Sequence, residues 1–237
     1  MREPLGFEDH ETMWRDELRP TRLSAEFLAA ELMMTDHNIG STVVIFGSAR
    51  VREGDELSRY LGLAEETARL FTQVSESRFK GSDDELREYV VCTGGGPGIM
   101  EAANKGAIKA GGLSVGLNIE LPSEQVKNPY LTEGLDLKFH YFALRKMHLM
   151  MRAKGLIVFP GGYGTLDELF EALTLVQTRK VPRIPIVMFG RSYWEKVINF
   201  SHLVDCGTID ANDVDLITYV ETPEQAFECV CAAQSPA

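Results

Sequence analysis

Apolar positions along this chain follow two alternating patterns. Short continuous apolar runs, such as Thr42-Val43-Val44-Ile45-Phe46, mark strands buried on both faces, because a half-covered sheet gives strict alternation instead. Between them lie stretches whose apolar residues recur three to four apart, the spacing of one helix face. The patterns predict strands over 41–47, 89–93, 113–119, 135–141, 155–159, 184–189 and 216–220. They predict helices over 56–74, 98–110, 142–153, 165–178, 193–204 and 223–233. Residues 75–88 read as a polar insert and 123–132 as a loop. Repeated βα units of this kind predict an α/β fold: a doubly wound, mainly parallel, Rossmann-like sheet with helices on both faces.

Residues 1–40 stand apart. They are polar and charged, and a helix is predicted over about 11–34 with Leu18, Leu23, Phe27, Ala30 and Met34 on one face. This segment reads as an N-terminal helical extension packing on the core or on a second subunit. Residues 41–237 read as one domain.

Three predicted strands end in glycine-bearing turns: Phe46-Gly47-Ser48, Gly94-Gly95-Gly96-Pro97-Gly98, and Pro160-Gly161-Gly162-Tyr163-Gly164-Thr165. In a doubly wound sheet all three lie beyond the carboxyl ends of the strands, where such folds bind ligands. Glycines let the backbone approach a ligand closely, and the N-terminus of the following helix offers N–H groups and a positive dipole end for a phosphate. The Gly94–Gly98 turn resembles a dinucleotide fingerprint, but Ile99 stands where the last glycine would be. Its functional reading is a backbone cradle at Gly95 and Gly96, with Glu120 as a candidate ribose ligand. Its plainer reading is a tight strand-to-helix connection. The third turn lacks the Gly-Lys-Ser/Thr ending of a P-loop.

Glu168 sits one turn into the helix after Thr165, where its carboxylate can face whatever the phosphate carries. Thr165-x-x-Glu168 is equally a capping-box pattern, in which the carboxylate reaches back to a backbone N–H. The spacing fits both roles. Asp167 points about 100° away and is expected in solvent. Arg145-Lys146 is a basic pair in an otherwise apolar helix. His140 and His148 read as core histidines. Met147, Met150 and Met151 read as core or interface packing.

Composition narrows the function classes. The net charge of −11 argues against a general grip on nucleic acid and requires locally placed donors for any anion. No apolar run reaches the ~18 residues of a membrane helix. The N-terminus lacks a signal-peptide apolar region. The cysteines Cys92, Cys206, Cys229 and Cys231 fit reduced thiols, so a cytoplasmic location is expected. No metal-ligand spacing is present.

Together these motifs resemble the LOG family, the cytokinin-activating phosphoribohydrolases and their bacterial relatives, members of which have often been labelled lysine decarboxylases. The resemblance spans about residues 42–221. It rests on Phe46-Gly47-Ser48, on Gly94–Gly98 with Met100, on Arg145-Lys146, and on Pro-Gly-Gly-x-Gly-Thr-x-x-Glu at 160–168. Asn128-Pro-Tyr, Tyr141-Phe and Phe170-Glu-Ala-Leu-Thr are similar to the longer bacterial branch. The plant-type Met-His-x-Arg-Lys stretch is replaced here by Phe142-Ala-Leu-Arg-Lys.

The resemblance implies hydrolysis of the N-glycosidic bond of a nucleoside 5′-monophosphate, AMP-like or a cytokinin ribotide, to free base and ribose 5-phosphate. It implies Arg145 and Glu168 as catalytic. Ser48, Gly161, Gly162, Tyr163, Gly164, Thr165, Lys146 and Thr174 would hold phosphate or substrate. A homo-oligomer, at least a dimer, is implied, with no metal or redox cofactor. Two rivals remain: a nucleotide sensor or carrier of a phosphorylated cofactor of the molybdenum-cofactor type, and a decarboxylase needing pyridoxal phosphate on a lysine.

Overall fold

The computed structural model describes residues 6–82, 85–121 and 128–233. The part of the expected loop at 123–127, and residues 83–84 of the expected insert, lie outside the described residues. Seven strands form one sheet: β1 (Thr42–Phe46), β2 (Val90–Thr93), β3 (Ser114–Ile119), β4 (Asp136–Phe139), β5 (Ala153–Val158), β6 (Ile186–Phe189) and β7 (Ile217–Val220). Every neighbouring pair is parallel, in the order β4-β3-β2-β1-β5-β6-β7. The chain builds outward from β1 to β4 and then returns to lay β5 against the other side of β1. The β1/β5 boundary is therefore the topological switch point, where the loops leaving the two strands diverge and open a crevice.

The continuous apolar runs have the meaning expected of them. All five residues of β1 are buried, with Val44 and Phe46 in one apolar layer and Val43 and Ile45 in the other. One layer is covered by α2 (Arg19–Asp36), α5 (Phe142–Met151), α6 (Tyr163–Gln177) and α7 (Arg191–Val197). The other is covered by α3 (Arg59–Arg78), α4 (Ile99–Lys109) and α9 (Pro223–Ala232). Among the described residues no helix is long and apolar enough to cross a membrane.

Several boundaries differ from the sequence expectation. The N-terminal helix is broken into α1 (His10–Met13), a 3-10 turn at Asp16–Leu18 and α2. Pro20 falls in the first turn of α2, the part of a helix that tolerates proline. Helix α3 runs on to Arg78, and its late polar residue Ser75 is buried, which hid it among insert-like polar residues. The helix expected over 193–204 is two, α7 and α8 (Phe200–Asp205). Asn199 starts the second by accepting the His202 N–H at 3.0 Å.

Candidate active site

The three glycine turns are stitched together at the switch point. Phe159 N–H donates to the Phe46 carbonyl at 2.8 Å, Ser48 N–H to the Pro160 carbonyl at 3.0 Å, and Ile99 N–H to the Ser48 carbonyl at 3.1 Å. A cleft of about 700 Å³ opens above them, within the size range of small-molecule sites. Ser48, Gly161, Gly162, Tyr163, Gly164 and Thr165 line it, and so do Arg145 and Glu168. Gly161 is demanded by crowding: a Cβ there would overlap the Thr165 hydroxyl and press on the Ser48 nitrogen. The Tyr193 hydroxyl donates to the Gly161 carbonyl at 2.9 Å and fixes the loop from the α7 side.

Helix α6 begins at Tyr163, two residues before the expected start, with Gly162 at its N-cap and no side-chain cap. Thr165 is therefore inside the helix, and the capping box is not formed. The N–H groups of Tyr163 and Gly164, in the first turn, have no acceptor within the helix and lie at the cleft. Tyr163 is 93% exposed at its mouth.

Freed from capping, Glu168 turns inward. Its carboxylate lies 3.3 Å from the Arg145 guanidinium, with 7% of its side chain and 10% of Arg145's exposed. Arg145 Nε donates to the Leu117 carbonyl of β3 at 2.7 Å. Gly94 makes room for it, since a Cβ there would overlap the guanidinium. A buried guanidinium needs partners of this kind, because an unpaired buried charge is costly. Burial pushes the Glu168 carboxyl up to about 7, against the pull of Arg145 and Lys146 and with Glu171 and Asp167 adding to the rise. Burial also pulls Arg145 below its ordinary value, against the opposing charge of Glu168. Near neutrality Glu168 thus populates both protonation states, the condition for a proton-transfer group. Behind the pair, burial pushes the Cys92 thiol up to about 12, so it is an inert neutral group.

The remaining candidates fall elsewhere. Lys146 turns away from Arg145 and pairs with Asp167 at 2.8 Å and Glu171 at 2.9 Å. With Thr174 it lines a separate hollow of about 470 Å³ beside the cleft, the two sharing Tyr163, Leu166 and Asp167. The Thr174 hydroxyl donates to its own helix at the Phe170 carbonyl, 2.7 Å away. Gly95 and Gly96 are buried behind the cleft, Gly95 against the Asn118 amide and Gly96 against Met100. Neither lines the cleft, and the close packing of their turn is that of a tight strand-to-helix connection. Glu120 is exposed on β4's side, paired with His140 at 3.1 Å. His140 is accordingly a surface residue, a correction to the core placement expected of it, whereas His148 is buried between Phe27 and Phe139.

Two features escaped the sequence reading. Arg50 lines the cleft and is exposed, and it makes no side-chain ion pair or hydrogen bond among the described residues. A buried polar chain braces the second glycine turn: Thr93 donates to Asn104 at 2.7 Å, Asn128 donates to Asn104 at 2.9 Å, and Gly95 N–H donates to Thr93 at 2.9 Å. The signal for it was Asn104 itself, an amide on the small-residue face of α4. Among the described residues no group of three or more His, Cys, Asp or Glu side chains is gathered to hold a metal.

Fold and cleft define a doubly wound α/β protein with an anion-suited site at its switch point. Residues 100–230 match the family described as "Possible lysine decarboxylase", and the chain belongs to this family, the LOG family. Over 128 residues it is 31% identical to a pyrimidine/purine nucleotide 5′-monophosphate nucleosidase of Escherichia coli strain K12. That match takes in 48% of this chain and spans only 27% of the curated relative. The same figures hold for the protein of that name in E. coli O157:H7. The X-ray structure of TM1055 shares the fold at 22% identity and a TM-score of 0.53, covering 81% of this chain and 99% of that one.

Proposed function

We propose that this protein is a nucleoside 5′-monophosphate phosphoribohydrolase. The observation that carries the reading is the buried Arg145–Glu168 pair, placed one helical turn from first-turn N–H groups that have no acceptor within α6 and suit a phosphate. The 5′-phosphate sits at the start of α6, on the N–H groups of Tyr163 and Gly164, with Arg50 supplying a cation. The ribose then lies over Glu168. As the C1′–N bond breaks, its electron pair goes to the base and positive charge builds on the sugar. The Glu168 carboxylate stabilises that charge, and the water whose oxygen bonds C1′ gives its proton to Glu168. The departing base takes a proton from solvent, and Glu168 later returns its own. Arg145 stays charged and holds Glu168 in place.

The family's description names a lysine decarboxylase, and an amino-acid decarboxylase working through pyridoxal phosphate needs a lysine in the cleft. Among the described residues none lines it, and Lys146 is engaged with two carboxylates in the adjoining hollow. The donor set does not fit that cofactor. The carrier reading lacks a use for a carboxyl group poised near neutrality. A homodimer is the state proposed, because Phe142, Met147 and Met151 of α5 and Leu28 and Leu32 of α2 are large apolar side chains left exposed, Phe142 at the cleft itself.

The test is chromatographic detection of base release from AMP, GMP, CMP and isopentenyl-AMP. Release from at least one, lost in Glu168→Gln, is expected and ranks the bases. Tight binding without release from any of them would falsify the hydrolase and favour the sensor.

A further inference from the structure

We propose that Glu26, on the N-terminal helix α2 and outside the lining of the cleft, is a positioning residue that sets Arg145 by clamping the start of α5. The inference rests on the hydrolase reading for its kinetic consequences, but its geometry does not.

Helix α5 has no cap of its own. Tyr141 stands at its N-cap position without a side-chain cap bond. The Glu26 carboxylate fills that role from another helix, accepting the His140 N–H at 3.0 Å and the Tyr141 N–H at 2.9 Å. A negative charge at a helix start satisfies orphan donors and complements the dipole. The Tyr141 carbonyl in turn accepts the Arg145 N–H at 3.3 Å, so two hydrogen bonds link Glu26 to the backbone of Arg145. Arg22, one turn earlier on α2, donates to the Tyr141 hydroxyl at 3.1 Å. Just beyond the other end of α5, Arg152 forks onto Glu31 at 2.6 and 3.1 Å, and this guanidinium holds the Glu31 carboxyl below its ordinary value. Helix α2 thus splints α5 at both ends, and Arg145 sits one turn from the Glu26 clamp. A displacement of about 1 Å at such a group can cost about a hundredfold in rate.

The consequence is readable at Glu168. The groups that face it are Arg145 and Lys146, which lower its proton affinity, and Glu171 and Asp167, which raise it. Loosening Arg145 removes the largest lowering influence, so the carboxyl moves higher. A residue with a merely structural role leaves that titration where it is.

The experiment measures base release against pH in the full-length protein and in Glu26→Ala and Glu26→Gln, with the Glu168 carboxyl carbon titrated by NMR in each. Expected for Glu26→Ala are a kcat lower by about tenfold or more and a Glu168 titration raised by at least about half a unit. Glu26→Gln, which keeps one acceptor oxygen, lies between. An unmoved Glu168 titration in both variants overturns the proposal, even if the Ala variant is less stable. Inactive wild-type protein would sink the hydrolase reading alone, because the NMR titration still decides this one. Should Glu26→Ala fail to fold, Glu26→Gln carries the test.

Discussion

Arg145 and Glu168 face each other at 3.3 Å although they belong to helices on separate βα units, α5 and α6. The pair is buried at the switch point, so each is the other's main counter-charge. That relationship sets the chemistry available here and most of what can be tested.

Glu168→Gln keeps the shape of the side chain and removes both charge and proton transfer. Base release falls by about 10²–10⁴-fold with the fold retained. On the proposed mechanism, wild-type activity is expected to rise with pH through about 7, as Glu168 loses its proton and becomes able to receive that of the water. A pH–rate profile checks both, and activity flat from pH 5 to 9 contradicts the assigned role.

Glu168 also makes stability pH-dependent. Its carboxyl titrates at about 7 folded and near 4.5 when solvated, so the folded state holds the proton more tightly. The resulting stabilisation is fully present below about pH 4.5 and is lost as pH rises through 7. Relative to Glu168→Gln, the wild type therefore loses about 3 kcal/mol across that window. Denaturant unfolding of both proteins at several pH values gives the difference, and two parallel curves would refute it.

Arg50 is an exposed cation on the cleft wall whose side chain has no partner among the described residues. Arg50→Gln removes one charge-assisted contact, worth about 1.5–3 kcal/mol, from the phosphate. KM rises about tenfold or more while kcat is nearly kept. An unchanged KM, or a loss confined to kcat, takes Arg50 out of phosphate binding.

Gly94→Ala places a methyl group where the Arg145 guanidinium lies. The side chain must shift, at a cost of about 1–3 kcal/mol in stability. Activity falls by more than that loss of folded protein accounts for, since Glu168 loses its fixed partner. Thermal unfolding paired with kcat on the folded fraction separates the two effects.

The sequence by itself determined the sheet, because residues buried on both faces must be apolar at every position, as in β1. It also marked the glycine turn at 160–165, and a position as crowded as Gly161 admits only glycine. It could not choose between capping and catalysis for Glu168, because both need a carboxylate at the same spacing. The tertiary structure removed the cap, by starting α6 at Tyr163, and set Arg145 opposite Glu168. Nor could the sequence separate Arg145 from Lys146: adjacent helical residues point about 100° apart, and only packing decides which one faces the cleft. His140 and the Glu26 clamp are of the same kind, contacts between segments more than a hundred residues apart, which no local pattern encodes.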